Sequence, residues 1–152
     1  VQAGAATGEG VDLSPAALAE AGRRAERAGL AERVRFVLGD AAGLSLEQHD
    51  WVILDRVICC YPDCSALIAR AIASAGSLIA FTAPHTRGWR GLLARAELLV
   101  ERIVDRVRTD PCPSFLHDLA DVERSLEAAG FRSRHQSGWR SWRIAVYERA
   151  GA

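Results

Sequence analysis

Four histidines, four cysteines and a series of aspartates closing apolar runs are the residues of this 152-residue chain whose types could do chemistry. The stretch "WVILDRVICCYPD", residues 51–63, concentrates them. Cys59, Cys60 and Cys64 are crowded there, and Cys112 stands apart. No CxxC pair occurs, although zinc sites favour that spacing because two thiolates must converge on one ion. Adjacent cysteines on an extended segment face opposite ways. These thiols are therefore expected to be reduced and mostly buried, with no metal and no disulfide framework, in a cytoplasmic protein.

The aspartates are more informative. Asp12, Asp40 and Asp55 each follow a strand-like apolar segment, and a further such segment ends after Ala83. In open α/β sheets, ligands bind beyond the carboxyl ends of the strands. A carboxylate there can accept hydrogen bonds from both hydroxyls of a ribose. All 19 basic residues are arginine. Without lysine, a P-loop, a pyridoxal Schiff base and the Tyr/Lys pair of short-chain dehydrogenases are excluded. Tyr61 and His85, each just beyond a strand end, are candidate acceptor-side catalytic groups. His49, His117 and His135 read as surface residues.

The elements that must position these residues alternate between strand and helix. A strand over Gly10–Leu13 leads to Ser14, a good N-cap, and to Pro15 at the first helical position. The helix runs to about Ala28, and Gly29 stops it. "RVRFVLGD" is a short strand. "DWVILD" is a continuous apolar strand, expected to be buried on both faces. A helix follows from about Cys64 to Ala75, and then the strand "GSLIAFTAP". From Trp89 to Arg108 the period is helical, with Trp89, Leu92, Leu93, Ala96, Leu99, Val100, Ile103, Val104 and Val107 on one stripe. Core packing is the expected role of that stripe, and a lid over a pocket is the functional alternative. Asp118 or His117 caps a further helix to Ala129, with Val122 and Leu126 inward. Two final strands are joined by a turn expected around Ser137–Gly138. The alternation predicts an α/β protein with a parallel sheet covered by helices.

In their order and spacing, "GVDLSPAALAEA", "VRFVLGDAAGL", "DWVILDRVICCYPD" and "LEAAGF…WRIAVYERA" resemble the class I S-adenosylmethionine-dependent methyltransferases, most closely the small-molecule enzymes of the ubiquinone/magnesium-protoporphyrin type. The resemblance implies a Rossmann-like three-layer sandwich, mostly parallel with a C-terminal antiparallel hairpin. It implies S-adenosylmethionine as cofactor. Asp12 would hold the ribose hydroxyls and Leu13 would lie against the adenine. Asp40 would accept from the adenine amino group, with a backbone contact from Ala41. Asp55, Arg56 and Val57 would lie near the methionine half. The family's first strand and glycine-rich loop do not occur in these residues. That loop is expected upstream of Val1, in a longer protein of which this chain is an N-terminally truncated part, a single domain over 1–152. Residues 86–117 are where such a fold inserts its substrate cover.

The expected partner is a small-molecule methyl acceptor. A formal net charge of +0 gives no argument for nucleic acid. No apolar run approaches the roughly 20 residues of a membrane span. Two alternatives stand beside methyl transfer. A nicotinamide-dependent Rossmann oxidoreductase also suits an acid after a strand, and a truncated, non-catalytic domain suits the absent loop.

Overall fold

The computed structural model describes residues 4–105, 115–139 and 141–151. Two compact units divide the chain, residues 1–46 and 47–152.

In the first unit, strand β1 (Gly8–Asp12) pairs in parallel with β2 (Val34–Leu38), Asp12 opposite Leu38. Helix α1 (Pro15–Arg27) connects them. Its start follows from sequence: the Ser14 side chain accepts from the Ala17 N–H, and Pro15 needs no donor of its own. Gly29, at φ +67°, takes the left-handed conformation that ends the helix. The strand begins at Gly8, earlier than the expected Gly10, and residues 4–7 before it are not helical. The Arg33 guanidinium ties that segment down by donating to the Ala5 and Ala6 carbonyls.

The second unit holds four strands in the order β3-β4-β6-β5. These are β3 (His49–Asp55), β4 (Ala75–Pro84), β5 (Phe131–Trp139) and β6 (Trp142–Arg149). The β3–β4 pair is parallel, and β6 lies antiparallel to both β4 and β5. Around the sheet come α2 (Cys64–Ser74), α3 (Gly88–Asp105) and α4 (Leu119–Ala128). Asp63 caps α2 by accepting from the Ala66 N–H, and Asp118 caps α4 by accepting from the Ala120 N–H. The core contains Ile79, Phe81, Leu67, Ile68, Val122, Leu126, Phe131 and Tyr147, with Phe81 stacked on Tyr147 at 6.1 Å. Arg149 staples the sheet by donating to the Ala75, Gly76 and Ala129 carbonyls while lying over the Phe131 ring.

Three expectations change. Strand β3 is buried on one face only: Leu54 is in the core, whereas Trp51 and Ile53 are 61% and 65% exposed. The stripe of α3 does not face a core either. Trp89, Leu92, Leu93, Ala96, Leu99 and Val100 are exposed, and the buried positions among the described residues are Gly91 and Ala94. Val107, like Cys112 and the 106–114 part of the expected substrate cover, lies outside the described residues. The final turn comes after Trp139, not at Ser137–Gly138, which are paired strand residues. Gly138 serves a close approach instead. A Cβ there would stand 2.8 Å from His85 Nε2 and 3.0 Å from both Arg90 Nη1 and the Trp142 carbonyl oxygen.

Candidate functional site

At the carboxyl end of the two-stranded sheet, Asp12 closes β1 and Asp40 follows β2 by two residues. The Asp12 carbonyl accepts from the Gly39 N–H at 3.0 Å, so the two strand ends are held side by side. Each aspartate also folds its own loop. Asp12 Oδ1 accepts from the Ser14 N–H at 2.7 Å, and Asp40 Oδ1 accepts from the Ala42 N–H at 3.0 Å. The second carboxylate oxygen of the exposed Asp12 has no partner among the described residues and can accept from a sugar hydroxyl. Leu13 beside it is 65% exposed, an apolar surface available to a flat base. Ala41 lies in the turn after Asp40.

At the carboxyl end of the four-stranded sheet, Asp55 and Thr82 are register partners on β3 and β4. The Thr82 hydroxyl donates to Asp55 Oδ1 at 2.6 Å and accepts from the Arg56 N–H at 2.8 Å. One side chain therefore aims the carboxylate and fixes the turn after it. That turn is strained, because Arg56 adopts φ 57°, which non-glycine residues rarely take. The Arg56 guanidinium lies over the Trp142 ring, 4.7 Å from its centroid. Val57 follows, partly exposed.

A 3-10 turn over Ile58–Cys60 comes next. Its helical geometry overturns the expectation that Cys59 and Cys60 face opposite ways. Both thiols instead donate to the Arg56 carbonyl, at 3.5 and 3.4 Å, with their sulfurs 3.8 Å apart. Among the described residues, no group of three or more His, Cys, Asp or Glu could hold a metal ion. The thiols brace the turn that carries Arg56. Replacing both with serine preserves that donation. The Cys59→Ser, Cys60→Ser variant is therefore expected to bind the cofactor that the resemblance implies within about threefold of the parent, since a weak sulfur donor is exchanged for a hydroxyl. A calorimetric titration checks this, and a loss of tenfold or more would restore a chemical role for the sulfurs.

Tyr61 is half-buried between that turn and α2, and its carbonyl meets His117 Nε2 at 2.8 Å. His117 also stacks on Phe115, so it is a packing residue and not a free surface histidine. His85 follows β4, with its backbone N–H donating to the Ser141 carbonyl at 2.7 Å. Its Nε2 is buried without a hydrogen-bond partner among the described residues. Burial first, then the Arg90 and Arg143 charges, push the imidazole below the usual histidine value, with the Trp142 backbone pulling the other way. The neutral ring is thus favoured.

Asp12, Leu13, Asp40 and Ala41 therefore gather on one unit, and Asp55, Arg56, Val57, Tyr61 and His85 lie on the other. Thr82, Trp142 and Gly138 were not picked out from sequence. A lone hydroxyl near the end of the apolar run "GSLIAFTAP" was the available signal for Thr82.

No protein-family model matches the sequence, and no curated protein does. Solved structures do. Magnesium protoporphyrin IX methyltransferase from Synechocystis PCC 6803, with bound S-adenosylhomocysteine, superposes with a TM-score of 0.72 at 25% identity. The alignment covers 98% of this chain and 66% of that one. In fold, the chain is similar to class I S-adenosylmethionine-dependent methyltransferases. An O-methyltransferase from neocarzinostatin biosynthesis, in complex with S-adenosylhomocysteine and 1,4-dihydroxy-2-naphthoic acid, shares the methyltransferase fold at TM-score 0.62 and 19% identity, over 94% of this chain and 42% of that one. An O-methyltransferase family 2 protein from Planctomyces limnophilus, in complex with apigenin, does so at TM-score 0.68 and 14% identity, over 94% and 42%. The chain thus spans about two thirds of the length of the first of these methyltransferases and under half of the other two.

Proposed function

We propose that the protein containing this chain transfers a methyl group from S-adenosylmethionine to a small-molecule acceptor. The sheet order carries this reading. A final strand, β6, runs antiparallel between β4 and β5, whereas β1–β2 and β3–β4 are parallel pairs, with Asp12 and Asp55 closing β1 and β3. The cofactor supplies a methyl group already activated by a sulfonium centre, so the protein's task is mainly alignment.

Asp12 holds the ribose hydroxyls through its second oxygen, and Leu13 packs on the adenine. Asp40 accepts from the adenine amino group beside the Ala41 backbone. Asp55, aimed by Thr82, faces the methionine half with Arg56 and Val57. On the acceptor side, His85 is favoured over Tyr61 as the proton acceptor, because burial disfavours its charged form and its Nε2 is without a hydrogen-bond partner among the described residues. The exposed stripe of α3 is part of the substrate cover within 86–117, and a cytoplasmic location fits the reduced thiols. None of the described helices is long and apolar enough to cross a membrane. The methyltransferases compared above give no support to a nicotinamide cofactor.

Titrating the protein with S-adenosylhomocysteine and separately with NADH tests the reading. Saturable binding of the first and none of the second is expected. Binding of NADH alone would establish the oxidoreductase instead.

A further inference from the structure

On an extended segment adjacent cysteines point apart, but the 3-10 turn over Ile58–Cys60 brings both side chains back onto one acceptor. Cys59 Sγ and Cys60 Sγ lie 3.8 Å from each other, and 3.5 and 3.4 Å from the Arg56 carbonyl oxygen. The two thiols differ in access. Cys59 is 7% exposed, and its own carbonyl accepts from the Phe115 N–H at 2.7 Å. Cys60 is partly exposed. A reachable thiol beside a sheltered one suits an attacking cysteine and its resolving partner.

The backbone that these thiols brace is strained. Arg56 holds φ 57°, a conformation that persists only where its surroundings impose it. Both of its peptide groups are used for this. The N–H donates to the Thr82 hydroxyl, and the carbonyl accepts from the two thiols. The preceding residue is Asp55, whose carboxylate is aimed by the same Thr82 hydroxyl.

We infer that Cys59 and Cys60 are a modification site: a low-molecular-weight disulfide oxidises them to an intramolecular disulfide, and closure loosens the turn over residues 55–57. The effect on cofactor binding rests on the methyl-transfer reading, whereas the closure does not. The Cys60 thiolate attacks one sulfur of the small disulfide, forming a mixed disulfide, and one small thiol leaves with the Cys60 proton. The Cys59 thiolate then attacks the Cys60 sulfur, and the second small thiol leaves with the Cys59 proton. Two protein thiols are oxidised and one small disulfide is reduced to two thiols. The two sulfurs close from 3.8 Å to about 2.05 Å in the second step. Neither sulfur then carries a hydrogen, so the Arg56 carbonyl loses both donations together.

The test treats the Cys64→Ser, Cys112→Ser variant, in which only Cys59 and Cys60 can react, with oxidised glutathione. Non-reducing mass spectrometry is expected to show a monomer lighter by two hydrogens, restored by dithiothreitol. In the parent chain, cleavage before Asp63 separates Cys64 from the pair, and the peptide ending at Pro62 should show the same loss. A stable glutathione adduct, a disulfide-linked dimer or an unchanged mass overturns the site. S-adenosylhomocysteine is titrated by calorimetry before and after oxidation. Its affinity is expected to fall about tenfold on closure, the scale of one hydrogen bond, and to return on reduction. The Cys59→Ser, Cys60→Ser variant keeps hydroxyl donors and cannot close, so the same treatment should leave its affinity unchanged. Far-UV circular dichroism should stay constant, and global unfolding on closure would overturn a local effect. Closure with affinity unchanged overturns the loosening of the turn. No binding in either state overturns methyl transfer, while the mass still decides the site.

Discussion

With alanine at position 55, affinity for S-adenosylmethionine is expected to fall about 100-fold, equivalent to about 2.7 kcal/mol. The magnitude is that of one charge-assisted hydrogen bond, about 1.5–3 kcal/mol. Asp55 ends β3, and the Thr82 hydroxyl occupies its Oδ1 at 2.6 Å. Its other oxygen has no partner among the described residues and is free to meet the ammonium of the cofactor's methionine portion. Alanine removes that carboxylate and also leaves Thr82 with one bond fewer beside the strained Arg56. Asp55→Asn keeps an acceptor for Thr82 but drops the charge, so about a tenfold loss is expected of it. Calorimetry on folded protein measures both. An alanine variant within threefold of the parent would remove Asp55 from the cofactor site.

Replacing Phe81 with alanine should act on the fold itself. Phe81 is 1% exposed at the middle of β4, opposite Leu54 on β3 and Ala145 on β6, and stacked on Tyr147. Truncating a buried phenylalanine costs about 3–5 kcal/mol, because both its transfer energy and the packing around the vacated volume are lost. Domains are stable by only about 5–15 kcal/mol, so most of the margin disappears. Urea denaturation followed by fluorescence checks this. A loss below about 1 kcal/mol would mean that the β4–β6 contact is not the centre of the core. Thr82 follows Phe81 on the same strand, so a loosened β4 also releases the hydroxyl that aims Asp55.

Much of this layout was legible in the chain. Ser14–Pro15 announced a helix start because a hydroxyl cap and a missing donor belong at those positions. Asp12, Asp40 and Asp55 were placed at strand ends because each closes an apolar run. The α3 stripe was legible as a helix and misread as core, since periodicity says which residues share a face and not what that face meets. Trp51 and Ile53 failed for the same reason on a strand. Gly138 imitated a turn, and its reason for being glycine, the approach of His85 and Arg90, comes from segments about 50 residues away in sequence. Thr82 was hidden likewise, because its bonds to Asp55 and Arg56 depend on the register of two strands.

The position of β6 reaches into the protein's synthesis. It follows every other strand of its sheet in sequence, yet it lies between β4 and β5. On the ribosome, β4 emerges with one edge unpaired, and β5 has no neighbour at all until Trp142–Arg149 appear. At ~5–20 residues per second, that edge stays open for about 3–12 s after β4 is made. Until then Phe81 lacks Tyr147, and an apolar strand is available to other nascent chains. Folding of this unit therefore waits for its last strand. Slowing or truncating synthesis before Arg149 should send the chain to aggregation or to chaperones, with no smaller folded sheet as a resting point.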